Sequence, residues 1–305
     1  MKLGQLSPAE IQRRLESEGL PLQIGPFTFR IVSDIDSVAQ GLFNLYQDYP
    51  LLEPGKFVDF TVCIQRSTGS RRWLHPQAIF RYDGVIAFAP LPLNHAFPLL
   101  EWAMNWCIST QAHQYLLLHS AVIEREGFAA ILPAPPGSGK STLCAGLINR
   151  GWRLLSDELA LISLTGTSIT PLGRPVSLKN QSIEVIRGFV PGAVFNSITP
   201  DTTKGSVTHL KVPIEQLQRI EEKAQPRWVI FPRYKAGALP ELTPRSKANS
   251  MLELGRNSFN YMILGLSGFE ALSHVVGASD CYDFQYSQLD DAVAVFDDLV
   301  TRRLR

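Results

Sequence analysis

One stretch limits this chain more than any other: Ala134-Pro-Pro-Gly-Ser-Gly-Lys-Ser-Thr142. An apolar run, Phe128-Ala-Ala-Ile-Leu132, leads into it, and a helix-like segment from Ser141 to Arg150 leads out. Strand, glycine-rich loop and helix in that order form a phosphate-binding loop. Gly137 and Gly139 let backbone N–H groups turn toward phosphate oxygens where a Cβ would intrude. Lys140 supplies a positive charge for the outer phosphates, and the Ser141 hydroxyl is placed to ligate Mg²⁺. The following helix contributes its free amides and dipole. Pro136, Gly137, Ser138, Gly139, Lys140, Ser141 and Thr142 are therefore expected to hold a nucleoside triphosphate. Ala134 stands where the usual pattern has its first glycine, and Pro135 and Pro136 remove two N–H donors, so the cradle has to rely on amides from Gly137 onward.

The rest of the chain is built like an ordinary globular protein, with 45% hydrophobic and 19% charged residues. A formal charge of +1 gives no reason to expect nucleic acid or an anionic membrane as partner. Cys63, Cys107, Cys144 and Cys281 lie far apart without a C-x-x-C pair, as reduced buried thiols do. The first residues run quickly into charged helix, unlike a signal peptide, and no apolar run reaches membrane-spanning length. A cytoplasmic protein is expected.

Two units are expected: a small N-terminal α+β module over 1–112 and a phosphate-loop domain over 113–305. Ser7-Pro-Ala-Glu10 reads as a capping box opening the first helix. Phe27, Phe29 and Ile31 alternate with polar residues as a strand, as do Val58, Phe60, Val62 and Ile64. Asp83-Gly84 marks a hairpin. The stretch 96–110 reads as a helix whose Leu99, Trp102, Ala103 and Trp106 share a core-facing stripe. No catalytic constellation is visible in this unit.

In the second unit, 115–124 reads as a strand returning through Arg125-Glu-Gly127 into 128–133, which pairs the loop-feeding strand antiparallel to its predecessor. Only sixteen residues separate Lys140 from Asp157. A hairpin follows over 159–172. The spacing predicts a helix over 178–188, a polar loop over 201–209, a strand over 227–232, helices over 249–259 and 262–276, and a last helix capped by Ser287. Lys179, Lys204, His209, Arg233 and Lys235 are further basic positions near these elements, each also readable as an ordinary surface residue.

His119-Ser-Ala, the loop itself, and Leu154-Leu-Ser-Asp-Glu158 together resemble the catalytic core of the HPr kinase/phosphorylase family, in that order and at similar spacings. Ser182-Ile-Glu-Val-Ile-Arg-Gly-Phe189 is similar to its I-E-x-R-G-x-G segment, with one extra residue between Glu and Arg. The likeness covers roughly 115–190, and the Ala-Pro-Pro loop with a different N-terminal unit looks more like the HPr-kinase-related kinase A group. The resemblance implies an α/β fold of the HPr kinase and PEP carboxykinase type, a mixed sheet around one phosphate-loop helix. It implies ATP and Mg²⁺, the cation held by Ser141 and Asp157, with catalytic roles for Asp157, Glu158 and His119 and a substrate role for Glu184 and Arg187. Which of Asp157 and Glu158 is the base stays open, and Glu184 and Arg187 are equally suited to pairing with each other at i,i+3. The implied activity transfers the γ-phosphoryl group to a hydroxyl, serine first, of a small partner protein or a small molecule. The resemblance also implies a homo-oligomer. The alternative is a nucleotide-binding regulatory protein or ATPase with no phosphoacceptor.

Overall fold

The computed structural model describes residues 1–53, 55–69 and 71–304, with the side chains of 71, 72, 303 and 304 excepted. In the first unit, helix α1 (Pro8–Glu16) begins where the Ser7 hydroxyl accepts from the Glu10 amide, 3.2 Å away. Strands β1 (Leu20–Ile24) and β2 (Phe27–Ser33), helix α2 (Asp36–Leu45) and strand β3 (Phe60–Arg66) follow. Then come α3 (Arg71–Leu74), β4 (Gln77–Tyr82), β5 (Val85–Ile86), β6 (Leu91–Pro92) and α4 (Ala96–Gln111). The strands form a six-stranded sheet in the order β1-β2-β3-β4-β5, with β6 also on β4. Asp83 (φ 48°) and Gly84 (φ 79°) make the β4–β5 turn with both central residues left-handed, which suits the twist of a two-residue hairpin.

The second unit opens with β7 (Tyr115–Arg125), β8 (Phe128–Pro133), α5 (Lys140–Ile148), β9 (Arg153–Ser156), β10 (Leu159–Ser163) and β11 (Ile169–Thr170). It continues with β12 (Val176–Lys179), α6 (Gln181–Phe189), β13 (Thr199–Thr202), β14 (Gly205–Leu210), α7 (Ile214–Leu217) and β15 (Gln225–Tyr234). It closes with β16 (Glu241–Pro244), α8 (Lys247–Arg256), α9 (Tyr261–Leu264), α10 (Leu266–Ala278), β17 (Asp280–Tyr286) and α11 (Leu289–Leu304). An eight-stranded sheet runs β11-β10-β7-β8-β15-β17-β16, with β9 also on β7; β12-β14-β13 form a separate three-stranded sheet. Strand β8 is antiparallel to β7 but parallel to β15, which is parallel to β17. The result is a mixed α/β fold in which three parallel strands, β8, β15 and β17, end on one side of α5. The open crevice at the carboxyl ends of such strands is where α/β proteins bind ligands.

Several sequence expectations need correcting. The helix expected from 178 starts only at Gln181, because Val176–Lys179 pairs with β14 as a strand and Asn180 breaks the chain direction at φ 52°. The polar loop over 201–209 is instead a hairpin strand pair. The helix over 262–276 is divided at Gly265, whose φ is 55°. Ser287 is not spent on capping the last helix; its hydroxyl donates to the Ala238 carbonyl at 2.7 Å. Strands β1, β6, β16 and β17 and the short helices α3 and α7 lie outside the elements expected from the sequence.

Among the described residues no helix is long and apolar enough to cross a membrane.

Candidate functional site

The loop after β8 is tied down from the ends of the other two parallel strands. The Tyr234 amide, closing β15, donates to the Ser138 carbonyl at 2.8 Å. The Tyr286 hydroxyl, closing β17, donates to the Gly139 carbonyl at 2.9 Å. Gly137 and Gly139 hold φ of 84° and 88°, which side chains rarely adopt. Ala134 is buried and has no left-handed backbone, so the missing glycine there strains nothing. Among the described residues no internal acceptor meets the amides of Gly139, Lys140, Ser141 or Thr142. Free amides at a helix start, above a positive dipole end, form an anion site.

Lys140 is 8% exposed and its ammonium is buried with no hydrogen-bond partner. An unpaired buried charge costs several kcal/mol unless an anion reaches it. α5 carries this lysine at the start of a helix that is buried throughout from Leu143 to Ile148.

Asp157 and Glu158 occupy a break between two strands laid along the same neighbour. Ser156 pairs with Val122 of β7 and Leu159 with His119, so the two acidic residues lie beside His119. The Leu159 amide donating to the Ser156 hydroxyl at 2.9 Å closes the turn. Asp157 is 5% exposed, not on an open surface turn. Its Oδ2 accepts from the Ser141 hydroxyl at 3.3 Å and the Ser177 amide at 3.1 Å, while Oδ1 has no partner. Burial pushes its carboxyl up to about 6, against the pull of Lys140. Burial also works to raise Glu158, but Lys179, Lys140 and Lys204 outweigh it and hold this carboxyl below its usual value. Glu158 accepts from Asn105 Nδ2 at 2.7 Å and lies 3.9 Å from the Lys179 ammonium. His119 is lowered to about 4 by burial and then by Lys140, so its ring is neutral at pH 7. It packs against Phe259, ring centres 5.7 Å apart.

The loop from Ala134 to Thr142, with His119, Glu158, Lys179 and Lys204, lines one cleft of ≈ 1200 Å³; Asp157 lies behind this wall, lining a small separate cavity. All seven loop residues expected to bind nucleotide are on its wall. Glu184 and Arg187 are not: they pair with each other at 3.0 Å on the outer face of α6, which instead gives the cleft Val185, Gly188 and Phe189. Of the other basic positions, His209 is buried against Phe97, and Arg233 and Lys235 are exposed outside the cleft.

The first unit contributes what its sequence did not suggest. Asn105, Trp106 and Ser109 of α4 line the cleft, and Asn105 bridges Glu158 and the Arg174 guanidinium. No local signal marks Asn105, since its role exists only once α4 brings it beside Glu158 and Arg174. Ser177 and Lys179 did have a signal, the alternation Val176-Ser-Leu-Lys179 of a strand with one buried face.

The fold and site together define a mixed α/β protein in which a glycine-rich loop with free amides shares a cleft with Glu158, and Asp157 contacts the loop's Ser141 from behind. No family model matches the chain, and no curated protein matches it. Among solved structures, the HPr(Ser) kinase/phosphatase from Coxiella burnetii aligns at a TM-score of 0.28 and 11% identity, over 61% of this chain and 98% of that one. A score so low does not establish a shared fold.

Proposed function

We propose that this protein is a Mg²⁺- and ATP-dependent phosphotransferase acting on a hydroxyl acceptor. The observation carrying this is the buried, unpartnered Lys140 ammonium beneath a ring of free amides, where triphosphate oxygens supply the missing partner. The donor set suits a divalent cation. The Ser141 hydroxyl and Asp157 carboxylate are already in contact, and Asp157 keeps one buried oxygen unpaired. Mg²⁺ would be held by these two groups and the nucleotide; among the described residues no cluster of three ligating side chains exists, and Mg²⁺ typically needs few. When bound, it neutralises phosphate charge.

Phosphoryl transfer asks the protein mainly to position groups and compensate charge. The loop amides and Lys140 hold the phosphates. Glu158 fronts the cleft, whereas Asp157 lies behind it, so Glu158 is the carboxylate that meets the acceptor. The acceptor oxygen bonds to the γ-phosphorus as the bond to the β–γ bridging oxygen breaks, ADP departs, and the hydroxyl proton passes to Glu158. Neutral His119, beside Glu158, serves as a positioning group. The cleft supports 113–305 as the nucleotide-binding part, with 1–112 contributing one wall through α4.

Calorimetry with Mg-ATP tests this. Wild type is expected to bind in the micromolar range, about −8 kcal/mol, and Lys140→Ala to weaken binding about 100-fold. A wild-type chain that binds no nucleotide sinks the reading. If nucleotide binds but ATP consumption never responds to any hydroxyl acceptor, the protein is a nucleotide-dependent switch instead.

A further inference from the structure

Beside the glycine-rich loop the cleft is lined by residues of the three-stranded sheet, among them the basic Lys179 and Lys204. In β12, Val176 and Leu178 are buried in the core while Ser177 and Lys179 line the cleft, the alternation of a strand with one wet face. The Ser177 hydroxyl is buried with no partner. Lys204 enters from the β13–β14 turn, its ammonium 5.2 Å from the centre of the Trp102 ring, and no carboxylate pairs with it among the described residues.

The turn carrying Lys204 is fixed with unusual firmness. Asn180 and Asp201 are non-glycine residues at φ 52° and 56°. Asn180 accepts from the Ser206 amide at 3.1 Å and donates to the Lys204 carbonyl at 3.2 Å. Gly205 (φ 82°) packs so closely that a Cβ would come within 2.1 Å of Asn180 Oδ1. Strained backbone of this kind persists where surrounding contacts enforce it, and it concentrates at binding sites.

We propose that this sheet is the floor of an acceptor subsite, and that the acceptor carries a carboxylate or phosphate beside its hydroxyl, bound by Lys179 and Lys204. The inference rests on the phosphotransferase reading above and names the substrate class of that site. With the hydroxyl at Glu158, an anionic group a few bonds away reaches both ammonium groups, and Trp102 stands beside Lys204. A neutral alcohol would leave Lys204 with no anionic partner among the described residues and Lys179 with Glu158 alone. The triphosphate has its own donors in Lys140 and the loop amides.

The test is calorimetric titration of glycerate and glycerol 3-phosphate, with glycerol as the neutral control, into protein saturated with Mg²⁺ and a non-hydrolysable ATP analogue. A serine peptide with flanking aspartates, against one without, separates a peptide source of the anion from a free one. The anionic member of at least one such set is expected to bind about tenfold or more tighter than its neutral control. Lys179→Met and Lys204→Met should each weaken it about tenfold, while Lys204→Arg and the outlying Lys235→Met keep it, and nucleotide affinity stays within about threefold throughout. Equal binding of neutral and anionic probes, or no binding of any, overturns the subsite. So does a loss of nucleotide affinity in the lysine variants as large as the loss of anion affinity, which would assign the lysines to the triphosphate. If wild type binds no nucleotide, the phosphotransferase reading fails separately. The same titration without nucleotide then decides the subsite: glycerate binding lost in Lys204→Met but kept in Lys140→Ala retains it, and the reverse removes it.

Discussion

Gly139 is constrained twice, by its φ of 88° and by its surroundings, since a Cβ there would lie 2.5 Å from the Tyr286 hydroxyl and 2.9 Å from Tyr234 Cβ. Gly137 has a similar φ but open space around it. Gly139→Ala should therefore cost about 2–3 kcal/mol in urea denaturation, against about 1 kcal/mol for Gly137→Ala. Equal costs would mean the tyrosines do not fix the loop. His119 yields a pH prediction. Its folded value of about 4 lies below the ordinary 6.5, so between these the unfolded chain binds more protons and stability falls as pH drops. Between pH 7 and pH 5 wild type should lose about 1–2 kcal/mol more than His119→Gln. Asp157, raised to about 6, acts in the opposite direction but is common to both proteins. Parallel pH curves for the two would refute the assigned environment of His119.

At the scale of elements, local chemistry explains most of what the chain announces and misleads where long-range pairing overrides it. The Ser7 cap, the Asp83-Gly84 and Glu126-Gly127 turns, and the alternating strand at 60–66 each depend on neighbours within a few residues. The segment 178–188 reads as one helix because its apolar spacing fits 3.6 residues, yet pairing with β14 claims the first part as strand. The hairpin of β13 and β14 depends on Gly205, whose packing against Asn180 leaves no room for a methyl. Gly205→Ala should lower stability by about 2 kcal/mol, read as a shifted denaturation midpoint. An unshifted midpoint would show that the turn can relax and does not hold Lys204 in place.

In the whole molecule, the six-stranded and eight-stranded sheets are topologically separate but their packing is not. The core beneath the six-stranded sheet includes Leu117, Leu159, Leu161 and Leu172 from the second unit. The Tyr49 hydroxyl donates to the Gly173 carbonyl, Lys211 pairs with Asp48 at 2.7 Å, and buried Arg174 pairs with Glu101 of α4. We therefore propose that the boundary at 112/113 divides the topology rather than the stability. Glu101→Ala, which strands a buried guanidinium, should cost about 3–5 kcal/mol and still leave one transition, coincident by circular dichroism and tryptophan fluorescence. Two separated transitions in wild type would contradict this.

By itself the sequence determined the glycine-rich loop, its strand and helix, the acidic pair seventeen positions beyond Lys140, and the hairpin that makes β8 antiparallel to β7. Each is written in contiguous residues whose backbone needs or hydrophobic period are local. Tertiary structure decided which groups face each other across the cleft. Asn105 meets Glu158 from 53 positions away, Tyr286 closes on Gly139 from 147 away, and Lys204 reaches the cleft wall only because β14 pairs with β12. It also separated Lys179 and Lys204 from Arg233 and Lys235, four cations alike in the sequence, two inside the cleft and two outside it. The reason is physical: a residue's type sets what chemistry it offers, but desolvation and charge proximity, which set the worth of that chemistry, belong to long-range packing.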